Sequence, residues 1–309
     1  MEAAARRLAG VAVRTPLLLA DVISEIAGAN VRLKCESLQR AGSFKIRGAY
    51  NFVSQLSDEQ VASGIITYSS GNHAQAVALS GKLRGVRAVV VMPTTAPKVK
   101  RDGAERLGAE VIYEGTTSLE RRAKAEEIAE EQGLVIVPPF DHRHIIAGQG
   151  TVGLEIAREW PDVDLVLAPI GGGGLASGVA ASIKRLLPAA RVIGVEPVGA
   201  ASMRKALDEE RPVVIKKIDT IADGLAPIMA GELTYEHAFS LMDDVVTVSD
   251  DAIREATSLL VSKQKLIVEF SGAAATAALL SKAVEAEGAR VAVVISGGNL
   301  DPTLVAGMA

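Results

Sequence analysis

An α/β fold of open, twisted, mostly parallel sheets flanked by helices is predicted by three observations. Short Val- and Ile-rich runs alternate with longer helical patterns, an order that implies parallel strands joined by right-handed crossovers. The 309 residues are 49% apolar but only 3% aromatic, which suits buried parallel strands under small-residue helices better than an all-β sandwich. Turns rich in Gly and Ser stand directly after several of the runs, where open parallel sheets gather ligands.

Taken in order, the predicted strands are 31–36, 65–69 ("IITYS"), 87–92 ("RAVVVM"), 110–113, 134–137, 164–170 ("DLVLAPI"), 191–196 ("RVIGVE"), 245–248 and 291–295 ("VAVVI"). Each is a short apolar, β-branched run bounded by turn residues. Helical patterns fill 72–84, 97–108, 117–132, 143–158, 174–187, 250–264 and 270–286. No internal repeat, low-complexity tract or long linker interrupts them. The length allows two domains or one large α/β unit.

Charge and composition exclude several classes. The net charge is −4, with no basic block and no basic-aromatic interleaving, so neither nucleic acid nor an anionic membrane is an expected partner. No apolar run reaches the ~18 residues that a membrane helix needs. Arg14 interrupts the apolar patch near the start, against a signal-peptide layout. The single cysteine, Cys35, falls in a predicted strand and reads as a buried, inert thiol. A cytoplasmic protein is the expectation.

Four strand-end junctions carry unusual residues: "GSFKIRGAY" at 42–50, "SSGNHAQAV" at 69–77, "IGGGGLASG" at 170–178 and "SGGN" at 296–299. The third has four consecutive glycines between a strand and a helix. Glycines admit positive φ and close backbone approach, and a helix start offers unpaired N–H groups, so the loop suits a phosphate. Two readings follow. Gly171, Gly173 and Ala176 satisfy G-x-G-x-x-G/A, and Glu196 ends the next strand, which is the dinucleotide fingerprint of an NAD-dependent oxidoreductase. Against it, the unit stands mid-chain and leaves the other three junctions without a role.

With "GSFKIRGA", "SSGNHAQ", "GGGGL" and "SGGN" in that order, the sequence resembles the fold-type II pyridoxal-phosphate enzymes, and within them the threonine/serine dehydratase and serine racemase family. "RTPLLLA", "HIIAGQGTVGLEI", "GVEP", "IADGL" and "VEFSGAAA" extend the likeness through nearly the whole chain. The resemblance implies a tryptophan-synthase-β-like fold with a small substrate-carboxylate domain at 50–142, inserted in a large cofactor-binding domain at 1–49 and 143–309. It implies pyridoxal 5'-phosphate as cofactor. Lys45 matches the Schiff-base lysine, whose amine gains nucleophilicity when desolvation lowers its pKa. Phe44 matches the residue against the cofactor ring, Gly171, Gly172, Gly173 and Gly174 the phosphate loop, and Asn72 the partner of the ring hydroxyl. Ser69, Ser70, Gly71, Asn72 and His73 match the loop that holds the substrate carboxylate. The alternative for His73 is a capping or packed histidine. Ser296 matches the residue facing the pyridine nitrogen. A hydroxyl cannot keep that nitrogen protonated as a carboxylate would, so elimination is favoured over transamination.

The implied activity is a threonine/serine ammonia-lyase, with dehydration of L-threonine or L-serine to a 2-oxo acid and ammonia. Lys45 serves as cofactor anchor and as the base at Cα. Ser70 stands where racemases of the family keep a hydroxyl on the opposite face, so serine racemase is the alternative, as are hydroxyaspartate or a bulkier β-substituted serine as substrates. Members activated by a divalent cation, Mg or Ca, use residues at "GVEP". Glu196 and Ala200 fit two of those positions, but Ser202 replaces the expected acid, and a hard cation with one carboxylate binds weakly; otherwise Glu196 is a solvated strand-end acid. From where the chain ends, the C-terminal regulatory domain of biosynthetic threonine dehydratases is expected to be absent. A homodimer or higher homo-oligomer is implied by the family.

Overall fold

A computed structural model describes residues 1–69, 71–96 and 98–305. Its strands are β1 (Leu17–Leu19), β2 (Asn30–Cys35), β3 (Ile65–Tyr68), β4 (Ala88–Met92), β5 (Glu110–Tyr113), β6 (Val135–Ile136), β7 (Leu165–Pro169), β8 (Arg191–Pro197), β9 (Asp244–Val248) and β10 (Arg290–Ile295). They form two sheets, six-stranded in the order β1-β2-β10-β7-β8-β9 and four-stranded in the order β5-β4-β3-β6. Every pairing is parallel except β1 with β2.

The strands that read as unbroken apolar runs occupy the sheet interiors. All five residues of β7 and of β4 are buried, and β10 is buried from Val291 to Ile295. A strand covered by helices on both faces has no solvent side, so alternation disappears. Helix Phe270–Leu280 covers the larger sheet with Ala273, Ala274, Ala275, Ala277 and Ala278, all fully buried. Cys35 is buried, and burial pushes its thiol up to about 12, which makes it inert as expected.

Besides helices the sequence did not single out, such as Lys45–Val53 and Glu232–Leu241, three elements depart from the sequence expectation in an instructive way. β1 was not foreseen: a three-leucine run after Pro16 has no period, and only its pairing with Lys34, Leu33 and Arg32 makes it a strand. The helix expected over 143–158 is two, Arg143–Gln149 and Thr151–Glu159, broken at Gly150. There the chain passes so near helix Gly174–Leu186 that a Cβ on Gly178 would lie 2.5 Å from the Gly150 nitrogen. The helix expected over 270–286 stops at Leu280, just before Lys282 at φ +58°.

Strand order then assembles the site. β10 lies between β2 and β7, so the turns leaving the carboxyl ends of these three strands are neighbours. They carry the Lys45 turn, Ser296 and the glycine loop. In the smaller sheet β3 and β6 are adjacent, and their carboxyl ends lead into Ser69–Asn72 and Val137–Phe140. This is the crevice position that doubly wound sheets offer a ligand.

Candidate active site

Two 3₁₀ turns, Glu36–Leu38 and Arg40–Gly42, carry the chain from β2 to helix Lys45–Val53, which begins at the lysine. The turn is fastened to the end of β10: the Phe44 N–H donates to the Ser296 carbonyl at 3.2 Å, and Ser43 bridges Gly297. Lys45 Nζ donates to the Pro139 carbonyl at 2.8 Å and lies 5.3 Å from the centre of the Phe44 ring. Among the described residues it has no acidic partner. Burial without a counter-charge lowers its pKa to about 8, the environment that makes a lysine amine nucleophilic near neutral pH.

The start of that helix is held by an ionic cluster that the sequence reading missed. Arg47, 1% exposed, donates through Nε and Nη2 to both oxygens of Glu36 at 2.7 Å, and through Nη1 to Glu155 at 2.6 Å and Thr151 at 3.0 Å. Lys34 adds a 2.7 Å pair with Glu155. Burial alone would raise the Glu36 carboxyl, but the Arg47 guanidinium holds it below its ordinary value. An arginine two residues after a lysine in "KIRGA" looks like a second surface cation; only the buried acids disclose its work.

The glycine loop runs from Ile170 to helix Gly174–Leu186, with Gly173 at φ +94°. A Cβ on Gly172 would meet the Phe140 ring at 2.2 Å, and one on Gly173 would meet Thr234 at 2.7 Å. Thr234 Oγ1 also donates to the Gly172 carbonyl at 2.7 Å. The loop is thus clamped from both sides with its backbone toward the cavity. The first-turn N–H groups have no carbonyl four residues back and constitute an anion cradle.

Opposite, Ser69 Oγ accepts the Gly71 N–H at 3.3 Å, and helix Asn72–Arg84 starts immediately after. Asn72 donates to Glu269 and accepts from Asn299 at 2.8 Å. His73 is 2% exposed, and its Nε2 lies 3.1 Å from the Val137 carbonyl. Burial, with Lys45 nearby, lowers its pKa to about 3. It is a neutral, packed histidine, one of the two roles expected for it. Ser70 lies outside the described residues. Ser296 is 4% exposed, and among the described residues its hydroxyl has one partner, the Ser271 carbonyl at 3.5 Å, long for an O–H···O bond.

These groups line one cavity of about 660 Å³, the size of a small-molecule site. Lys45, Phe44, Ser69, Gly71, Asn72, His73, Gly171 to Gly174 and Ser296 all reach it. So do Lys100, Asp223, Glu269 and Arg121, which the sequence did not single out. Lys100 and Arg121 sit in charged helical patterns that read as solvated faces; only the fold turns them inward. Glu196 and Ala200 lie elsewhere. Glu196 is fully buried, which corrects the solvated reading: its oxygens accept the Met203 and Arg204 N–H groups at 2.8 Å each, and burial raises its pKa to about 7. A carboxylate committed to those amides does not fit the ribose role of a dinucleotide site. Ser202 is buried, and its hydroxyl has no partner among the described residues. Among the described residues no cluster of three or more His, Cys, Asp or Glu has metal-site geometry, and no helix is long and apolar enough to cross a membrane.

The residues fit pyridoxal phosphate: a glycine loop with no room for a Cβ at Gly172 or Gly173, a lysine amine buried without a counter-charge and a hydroxyl with a weak partner converge on one cavity. Comparison with known proteins agrees. The chain is 43% identical over 302 residues to the L-threonine ammonia-lyase of Thermotoga maritima, covering 98% of this chain and 75% of that one. It is 43% identical over 293 residues to the chloroplastic biosynthetic threonine dehydratase 2 of Solanum lycopersicum, and there spans 49% of the relative's length. The structure of maize serine racemase superposes with a TM-score of 0.95 at 38% identity, covering 99% of this chain and 95% of that one. The model of the pyridoxal-phosphate dependent enzymes matches residues 9–297, and the chain belongs to that family.

Proposed function

We propose that the protein is a lyase that dehydrates and deaminates a small β-hydroxy amino acid, L-threonine or L-serine, to a 2-oxo acid and ammonia. The observation that carries this reading is the uncompensated Lys45 amine, placed where the glycine loop, the Ser69–His73 loop and Ser296 converge. The threonine-named relatives support the substrate class.

When bound, the cofactor supplies an electron sink for the pair left at Cα. The Gly171–Gly174 amides would hold its phosphate, Phe44 would pack on the ring and the neutral Ser296 hydroxyl would face the ring nitrogen. Lys45 would anchor it, and the neutral Lys45 amine would serve as the base for the Cα proton; a positioned base of this kind typically contributes ~10²–10⁴-fold. The start of helix Asn72–Arg84 holds the substrate carboxylate on backbone amides. Ser70 is proposed from the sequence as the acid–base group across from Lys45, which would add racemisation; Ser70→Ala then abolishes D-product formation and spares elimination.

The division into a small unit at 50–142 and a large one at 1–49 and 143–309 belongs to the same proposal, supported by the four-stranded sheet lying wholly between Ile65 and Ile136. Closure of one unit on the other would exclude water from the cavity. A cytoplasmic homo-oligomer completes the proposal, supported by the lone buried Cys35 and the family.

A second reading of the substrate rests on Arg121. It lines the cavity and is 9% exposed; among the described residues its Nε has no partner, and its Nη1 donates to the Thr116 carbonyl at 3.3 Å. A buried cation without a carboxylate is costly, and a substrate with an acidic β-substituent, such as 3-hydroxyaspartate, supplies one. The test is the visible band of the purified protein with pyridoxal phosphate, followed by 2-oxo acid assays on threonine, serine and hydroxyaspartate. Loss of both band and turnover in Lys45→Ala is the expected result; turnover retained in that variant overturns the assignment.

A further inference from the structure

We infer that Asn299, Glu269 and Lys100 form a relay that locks the Asn72 side-chain amide in one orientation, so that it meets the cofactor's ring oxygen as a hydrogen-bond donor. The inference rests on the reading of Asn72 as the neighbour of that oxygen; the relay itself is read from the protein.

The two ends of the relay fix every polarity between them. At one end stands the backbone carbonyl of Ala41, which can only accept, and Asn299 Nδ2 donates to it at 2.9 Å. The atom of Asn299 facing this corner is therefore the nitrogen. The same nitrogen lies 2.8 Å from Asn72, so the Asn72 atom it meets must be the oxygen, Oδ1. At the other end Glu269 Oε1 accepts from Asn72 Nδ2. A flipped Asn72 would set N–H against N–H at Asn299 and oxygen against oxygen at Glu269, losing both bonds. Each Asn72 polar atom is thus assigned by a group whose own role is beyond choice.

At the Glu269 end Oε1 accepts the Asn72 amide hydrogen, and a buried cation stands behind it. Glu269 is 3% exposed; burial, reinforced by Asp223, pushes its carboxyl upward, and Lys100 opposes that rise. Lys100 Nζ sits 3.7 Å from Glu269 Oε2 and pairs with Asp223. The glycines of "SGGN" make room: a Cβ on Gly297 would lie 2.1 Å from Glu269 Oε1, and the chain at Gly42 passes Asn299 Oδ1 so closely that a Cβ there would lie 2.2 Å away. Asn299, the last residue of that motif, thereby acquires a role distinct from that of Ser296.

With one Nδ2 hydrogen given to Glu269, the second has no other acceptor among the described residues. A donor at the ring oxygen stabilises its ionised form over the neutral hydroxyl. Asn299, Glu269 and Lys100 are positioning residues: they act on the reaction through Asn72.

The test uses the holoenzyme spectrum at fixed pH, in which the ionised ring oxygen absorbs in the visible and the neutral form in the near ultraviolet. The double variant Asn299→Ala/Glu269→Gln removes both fixed ends and lets the amide turn, so it should lower the visible-to-ultraviolet ratio about tenfold, as expected for loss of a hydrogen bond to a charged group. Each single variant leaves one end in place and should stay within a few-fold of the wild type. A wild-type ratio in the cofactor-loaded double variant overturns the relay. Should those variants not fold, the apo wild-type protein decides: the Asn72 side-chain amide, identified in a ¹⁵N spectrum by its loss in Asn72→Asp, should show one hydrogen shifted strongly downfield by the carboxylate. Absence of that shift overturns the lock. A locked amide together with an unchanged ratio in Asn72→Asp overturns its action on the ring oxygen, whereas absence of any visible band in the wild type sinks the cofactor assignment at this site instead.

Discussion

Lys45 Nζ donates to the backbone carbonyl of Pro139 at 2.8 Å, from the large sheet's turn to the chain leaving the small sheet. A carbonyl orients the ammonium without neutralising it, so burial is uncompensated and the pKa falls to about 8. Below that value the neutral, reactive fraction changes about tenfold per pH unit. The rate at which apo protein gains the visible band on mixing with pyridoxal phosphate is therefore expected to rise about tenfold from pH 6 to 7 and to level off above pH 8. Folding stability follows the same group with a defined sign. The unfolded lysine keeps its proton to higher pH than the folded one, so this contribution to stability increases as pH rises through 8 toward the ordinary lysine value. A stopped-flow pH series in which uptake is flat between pH 6 and 8 would contradict the assignment.

The Arg47–Glu36 pair is a stability element set beside a catalytic one. Without Glu36, the buried cations Arg47 and Lys34 share the single carboxylate of Glu155, a loss of up to about 3–5 kcal/mol. Glu36→Gln is expected to lower the unfolding free energy by an amount of that order in chemical denaturation, and to do so in apo protein as well, because neither residue lines the large cavity.

Gly173 combines φ +94° with a Cβ position 2.7 Å from Thr234. Alanine there incurs about 1–2 kcal/mol for the left-handed conformation before any clash is counted. Gly173→Ala is expected to weaken pyridoxal-phosphate binding at least tenfold by equilibrium titration, with the apo melting temperature nearly unchanged if the loop shifts rather than the fold. Unaltered affinity would remove the loop from the phosphate site.

Arg121 separates the two substrate readings. If it holds a substrate carboxylate, Arg121→Met should reduce kcat/KM for 3-hydroxyaspartate by 2–5 kcal/mol of lost pairing, roughly 30-fold or more, and leave threonine turnover within a few-fold. Equal losses for both substrates would make Arg121 structural.

The sequence alone was sufficient wherever the chemistry is carried by residues contiguous in the chain. The positions of β4, β7, β8 and β10 follow from runs of buried apolar residues, because a parallel strand covered on both faces leaves an apolar signature that needs no partner to be read. The glycine loop, the Lys45 turn, Ser69, Asn72, His73 and Ser296 stood out for a related reason: each lies in a turn of unusual composition at a strand end, and the structure brings them to one cavity. What the sequence could not decide were relationships between distant residues. Gly150 breaks a helix because Gly178 lies against it, β1 is a strand because β2 is beside it, and Glu196 is buried because two helix-start amides reach it. Arg47, Lys100, Arg121 and Glu269 sit in segments whose local pattern suits solvent or plain packing. Their place in or behind the cavity is fixed by long-range contacts such as Lys100 with Asp223 and Asn72 with Glu269. The energy of a buried charge depends on what surrounds it in space, which neighbours in sequence do not specify; that part of the site was decided by the tertiary structure.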